Sequence, residues 1–114
     1  MLLAQSINAG DLEGAVAFYE PDARFMAGPD NVVVGRDGIR KVMQQMLAGH
    51  PKLTIAVPTV IQSGDIALLC SEWSTVATGP DGRDVTDSGN GREVVRRQPD
   101  GTWRFVIDYP NGGD

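Results

Sequence analysis

The chain has 114 residues, 41% of them hydrophobic, and a formal net charge of -5. That length supports one domain that buries roughly two-thirds of its unfolded surface, with no need of a metal or disulfide staple. Lysines and arginines are scattered through an acidic chain, which excludes the electrostatic footprint of a nucleic-acid binder.

The opening MLLAQSI has no basic segment and too short an apolar run for a signal peptide. No stretch approaches the roughly 20 apolar residues of a membrane span, so a soluble, cytoplasmic protein is expected. Residues 2 to 9 read as a short helix stopped by Gly10, and Asp11 is a good N-cap for a second helix running to about Tyr19. Leu12, Ala15, Val16 and Tyr19 fall at helical spacing, which assigns Tyr19 to the buried stripe. The first helix is short for an element that must cover a sheet: either the domain begins abruptly or upstream residues belong to it.

Pro21-Asp22 breaks the second helix, residues 23 to 27 form a short strand, and a loop over 28 to 31 leads into Val32, Val33 and Val34. After Gly35, the positions Ile39, Val42, Met43, Met46 and Leu47 trace an amphipathic helix closed by Gly49 and Pro51. His50 lies in its exit, where a capping or solvent role is expected. No second His or Cys stands at ligand spacing, so neither a metal nor another cofactor is expected.

The rest is strand after strand: 53 to 61, 66 to 77, about 85 to 97, and 102 to 109, separated by the turn signals SGD, GPDG and PDG. Pro58 predicts a bulge or an edge, and Ser88 to Gly91 is expected to interrupt the third of these strands. The lone Cys70 falls in an apolar run and reads as a buried structural thiol in a reducing compartment. In the last strand Trp103, Phe105, Ile107 and Tyr109 alternate with Arg104, Val106 and Asp108, so Asp108 faces away from the aromatics. Helices followed by such a meander give an α+β domain in which a curved sheet leaves a cavity beneath the helices.

The segments NAGDLEGAVAFYEPDARF at 8 to 25, VGRDGIRKVMQQML at 34 to 47 and RRQPDGTWRFVIDY at 96 to 109 resemble the ketosteroid isomerase-like, or nuclear transport factor two-like, superfamily. That superfamily also holds the SnoaL-like polyketide cyclases and the limonene epoxide hydrolases. The resemblance implies one domain over residues 1 to 114, with N-terminal helices on a strongly curved, mainly antiparallel sheet that forms a cone around an internal cavity. It carries over little chemistry. Where ketosteroid isomerases have a carboxylate base this chain has Ala27, and their tyrosine donor falls near Leu3; only Glu93 matches one of their acids. Isomerase activity of that kind is therefore not expected. Ile107-Asp108-Tyr109 resembles the Arg-Asp-Tyr of the limonene epoxide hydrolases, yet the neighbouring strand offers Glu72 and no arginine.

The family register implies that Leu68, Cys70, Glu72, Glu93, Val106 and Asp108 face the cavity, with Tyr19, Val42, Met43 and Met46 completing it. Asp108 and Glu93 are then candidate catalytic acids, since closely spaced carboxylates in a dry site cannot all ionise cheaply. A small hydrophobic organic molecule is the expected ligand, neutral or cationic. Trp73, Trp103 and Phe105 would lie on the convex face and form a homodimer interface. The QPDGT turn also allows a three-residue loop, which sets Arg92 opposite Asp108 and turns that acid to the surface. A ligand-binding protein leads, with an acid/base enzyme using Asp108 and a non-catalytic assembly module as alternatives.

Overall fold

The computed structural model describes residues 2–114. Helix α1 (Leu2–Asn8) leads through Gly10, at φ +70, into α2 (Leu12–Val16). Asp11 caps α2, its Oδ1 accepting the Gly14 N–H at 3.0 Å. The helix stops at Val16 rather than near Tyr19, and Tyr19 instead opens β1 (Tyr19–Gly28). Pairing decides this: the Phe105 N–H donates to Phe18 O at 2.7 Å, drawing the chain out of the helix and into the sheet.

A tight turn through Asp30 joins β1 to β2 (Asn31–Val34), and α3 (Gly35–Leu47) follows. Ile39 and Met43 are its fully buried residues, while Val42, Met46 and Leu47 pack partly buried against the same core. His50, at φ 49, lies exposed just beyond the helix and donates its backbone N–H to Leu47 O. Then come β3 (Lys52–Ser63), β4 (Ile66–Thr78), β5 (Asp84–Arg97) and β6 (Trp103–Tyr109).

These four strands form an antiparallel meander, and β6 then lies parallel to β1, giving the order β2-β1-β6-β5-β4-β3. Pro58 falls where the β3–β4 register shifts, on the strand at the sheet's edge, because proline has no N–H for the ladder. Ser88 to Gly91, expected to interrupt β5, pairs without a break against β4. The sheet curls about the helices, with α1 packed on β3 at one edge and α3 on β1 towards the other. The core between them centres on Val16, Tyr19, Ile39 and Met43. Among the described residues no helix is long and apolar enough to cross a membrane.

Candidate functional site

Two registers coexist in the β5–β6 hairpin. Near the turn Gln98 N–H donates to Thr102 O, Gly101 adopts φ +86, and residues 99 to 101 make a three-residue loop. The pairs Arg97↔Trp103, Arg96↔Arg104 and Val95↔Phe105 follow from that loop, and continued unchanged they would set Arg92 against Asp108. Instead the register shifts at Val106, which is left without a partner, and the ladder resumes as Val94↔Ile107 and Glu93↔Asp108. The extra residue reverses the alternation, so Phe105 and Asp108 both point into the concave side.

They enter a partly open cavity of about 130 Å³ between α1, α3 and the curled sheet. Glu93 and Asp108 stand side by side within it, 6% and 8% exposed. The Tyr19 hydroxyl donates to Asp108 Oδ2 at 2.5 Å, and the Ser71 hydroxyl donates to Glu93 Oε2 at 3.0 Å. The Tyr19 ring is held by Phe105, with centroids 5.1 Å apart, and by Phe25 at 6.3 Å. Trp73 lies along the wall, its indole N–H bonded to Pro110 O at 2.6 Å.

The glycines of β5 make this arrangement fit. A Cβ at Gly91 would collide with the Glu93 carboxylate and the Ser71 hydroxyl, and one at Gly89 would meet the Trp73 ring. The segment that reads as an interruption is therefore a strand stripped of side chains where an acid and an indole must pass.

Burial pushes Asp108 from the ordinary 3.8 up to about 6, against the pull of the Tyr19 hydrogen bond. Burial, with Asp108's charge second, raises Glu93 from 4.5 to about 7; the Ser71 hydroxyl and the Arg92 charge oppose it. Tyr19 is pushed well above its ordinary value by burial and then by Asp108, so the phenol stays a donor. Between the two carboxyl values the pair holds one proton and one negative charge. Such a pair can accept a proton, donate one, or face a cation.

Among the sequence-predicted residues, Tyr19, Met43, Met46, Glu93 and Asp108 line the cavity together. Leu68, Cys70 and Glu72 do not: Leu69↔Glu93 and Ser71↔Gly91 put the odd positions of β4 inward, so these three point outward. Val106 sits in the bulge, and Val42 packs against the core outside the lining. Trp73 and Phe105 are on the cavity side rather than the convex face, and Trp103 packs partly buried against the core with Arg97 over its ring. These three aromatics therefore form no outer patch. Ser71, Phe25, Leu53 and Ile55 are lining residues the sequence did not single out. Gly89 and Gly91, four and two residues before Glu93 on the same face of β5, are the available signal for a side chain such as Ser71 reaching across from the next strand. Among the described residues no three His, Cys, Asp or Glu side chains come together as a metal site.

No curated protein matches the chain. Among solved structures, one described as a calcium/calmodulin dependent protein kinase II association domain from Xanthomonas campestris superposes with a TM-score of 0.82 at 19% identity, over 94% of this chain and 77% of that one. A protein described as a dehydratase of the nuclear transport factor two-like family, from Streptomyces avermitilis, gives 0.80 at 19% identity, over 94% and 86%. A ketosteroid isomerase-like protein from Erwinia carotovora gives 0.73 at 20% identity, over 94% and 85%. At these identities the likeness is one of fold. A family model for the SnoaL-like domain matches residues 2–107, and the chain belongs to that family.

Proposed function

We propose that the chain binds a small, mainly apolar organic molecule in this cavity, with the Glu93–Asp108 pair meeting its polar group. The observation that carries the reading is a partly open apolar cavity of about 130 Å³ in which two carboxylates are held nine-tenths buried. Trp73 lines the enclosure, so a protein with Trp103→Phe carries one fluorophore at the site. Titration of that protein with benzyl alcohol is expected to give a saturable change in emission, abolished by Ile55→Phe, which fills the space. An unsaturable response in both proteins would leave the fold as an assembly module.

A second reading, an acid/base enzyme acting on a small hydrophobic metabolite with Asp108 as the proton-transfer group, is favoured by one feature. The pair keeps one proton close to neutrality, where transfer in either direction is cheap.

Self-association through the outer sheet face is also proposed, on residues other than the predicted aromatics. Ile61, Leu68, Val94 and Ile107 are successive partners across β3, β4, β5 and β6, a row of apolar side chains on the face opposite the cavity. Sedimentation is expected to show a dimer that Leu68→Glu converts to monomer; an unchanged mass would rule this face out. Cys70 is a free, half-buried thiol on that face, in keeping with a reducing compartment such as the cytoplasm.

A further inference from the structure

Each carboxylate at the centre of the cavity has one oxygen occupied and one free. Asp108 Oδ2 accepts from Tyr19 and Glu93 Oε2 from Ser71, while no described residue donates to Asp108 Oδ1 or Glu93 Oε1. Among the described residues no sealed side-chain oxygen lacks a partner, so these two oxygens open to the cavity. A buried carboxylate without a full set of donors is costly, and the missing donors must come from whatever fills the space.

The lining says what those donors are. Among the described residues it contains no Lys, Arg or His, so nothing in the wall would balance a ligand's negative charge. Arg92 acts from the other face of β5, its guanidinium donating to Gly91 O. Tyr19 is the titratable neighbour that faces the pair from β1, and it is already spent on Asp108. The lining from α1, α3, β3 and β4 brings no group that titrates near neutrality. Around the carboxylates stand the rings of Tyr19, Phe25, Trp73 and Phe105, whose faces attract a cation. The enclosure of about 130 Å³ approaches the roughly 150 Å³ engineered cavity that holds a benzene.

We propose that the site takes a compact organic ammonium ion. Its N–H groups donate to Asp108 Oδ1 and Glu93 Oε1, and an apolar body of about one ring lies among the aromatic side chains. This rests on the cavity-binding reading above and names its ligand class. The charge balances: a pair that holds one proton carries a single negative charge, which one ammonium neutralises, so binding needs at least one carboxyl ionised and strengthens as pH rises from 5.

The test is calorimetry on the full chain at pH 5 and pH 8 with benzylammonium chloride, benzyl alcohol and sodium benzoate. Benzylammonium is expected to bind about tenfold or more tighter than benzyl alcohol at pH 8, and to lose at least that factor at pH 5 as both carboxyls protonate. At pH 5, where an ionised carboxyl must first form, its heat should vary with the buffer's ionisation heat, and at pH 8 it should not. Glu93→Gln and Asp108→Asn should each weaken benzylammonium while changing benzyl alcohol little, near-ultraviolet circular dichroism confirming that both variants keep their packing. Wild-type protein alone also decides the matter. If benzyl alcohol or benzoate binds as tightly as benzylammonium at pH 8, the ammonium assignment falls and cavity binding stands. If none of the three binds, cavity binding falls with it.

Discussion

Asp108→Asn is expected to make the protein more stable at pH 8, by about 1 to 3 kcal/mol in urea unfolding, and to make almost no difference at pH 3.5. The sign follows from the raised value. Unfolded Asp108 releases its proton near 3.8 and the folded residue only near 6, so as pH rises through that window the unfolded state is favoured. Each unit of difference is worth about 1.4 kcal/mol, which sets an upper bound near 3 kcal/mol, fully developed above pH 6. Asparagine keeps an oxygen for the Tyr19 hydroxyl and turns its amide towards the cavity, so the substitution removes charge without orphaning the phenol. It also removes the neighbour whose charge helps to raise Glu93, which should then titrate lower. A variant less stable than wild type at pH 8 would mean that Asp108's charge is compensated, and the dry pocket would be wrong.

Phe105→Ala should cost about 3 to 5 kcal/mol and lower the melting temperature on the order of 15 °C. Phe105 is 4% exposed, stacks on Tyr19, and also borders the apolar groove beside Trp103, so its ring is part of the wall between groove and cavity. Removing it leaves a void with nothing to collapse into it and loosens the phenol that holds Asp108. Phe105→Leu, which restores most of the volume, should recover more than half of the loss. A loss below about 1 kcal/mol would mean that Phe105 lies on the outer face, as strict alternation along β6 predicts, and that the bulge is absent.

That alternation marks the boundary of what the sequence makes legible. The element order, α3 with Ile39 and Met43 inward, the edge position of Pro58 and the meander all follow from periodicity and turn residues, which are local signals. The two registers open for the hairpin, the three-residue loop that sets Arg92 opposite Asp108 and the family register that turns Glu93 and Asp108 inward, each hold over half of β6. Turn chemistry governs the pairs next to Gly101, and the pairing Glu93↔Asp108 holds beyond Val106. A bulge that joins them has no local signature in Phe105-Val106-Ile107. It is set by what lies on both sides of the sheet, where Phe105 must meet Tyr19 and Asp108 must meet the Tyr19 hydroxyl. The displacement of Leu68, Cys70 and Glu72 is a fault of the same kind, since one step of register exchanges every side chain of a strand between its faces. Helical spacing puts Tyr19 in the right company on the wrong element, because burial is common to both periodicities and the parallel contact with β6 is not encoded nearby.

The sheet order also sets a sequence of events in time. Strands β3 to β6 can zip as neighbouring hairpins, but β1 reaches β6 only when segments more than 80 residues apart in the chain meet, as the 89-residue separation of Tyr19 and Asp108 records. Loop closure of that span is met before the contact rewards it, which makes it the slow step of folding. Until then Asp108 is a hydrated acid on a free edge with an ordinary affinity for protons, and its raised value arrives with the burial that closing the seam brings. Proton uptake by a refolding chain at pH 5 would therefore lag behind the gain of β-structure and report closure of the last seam.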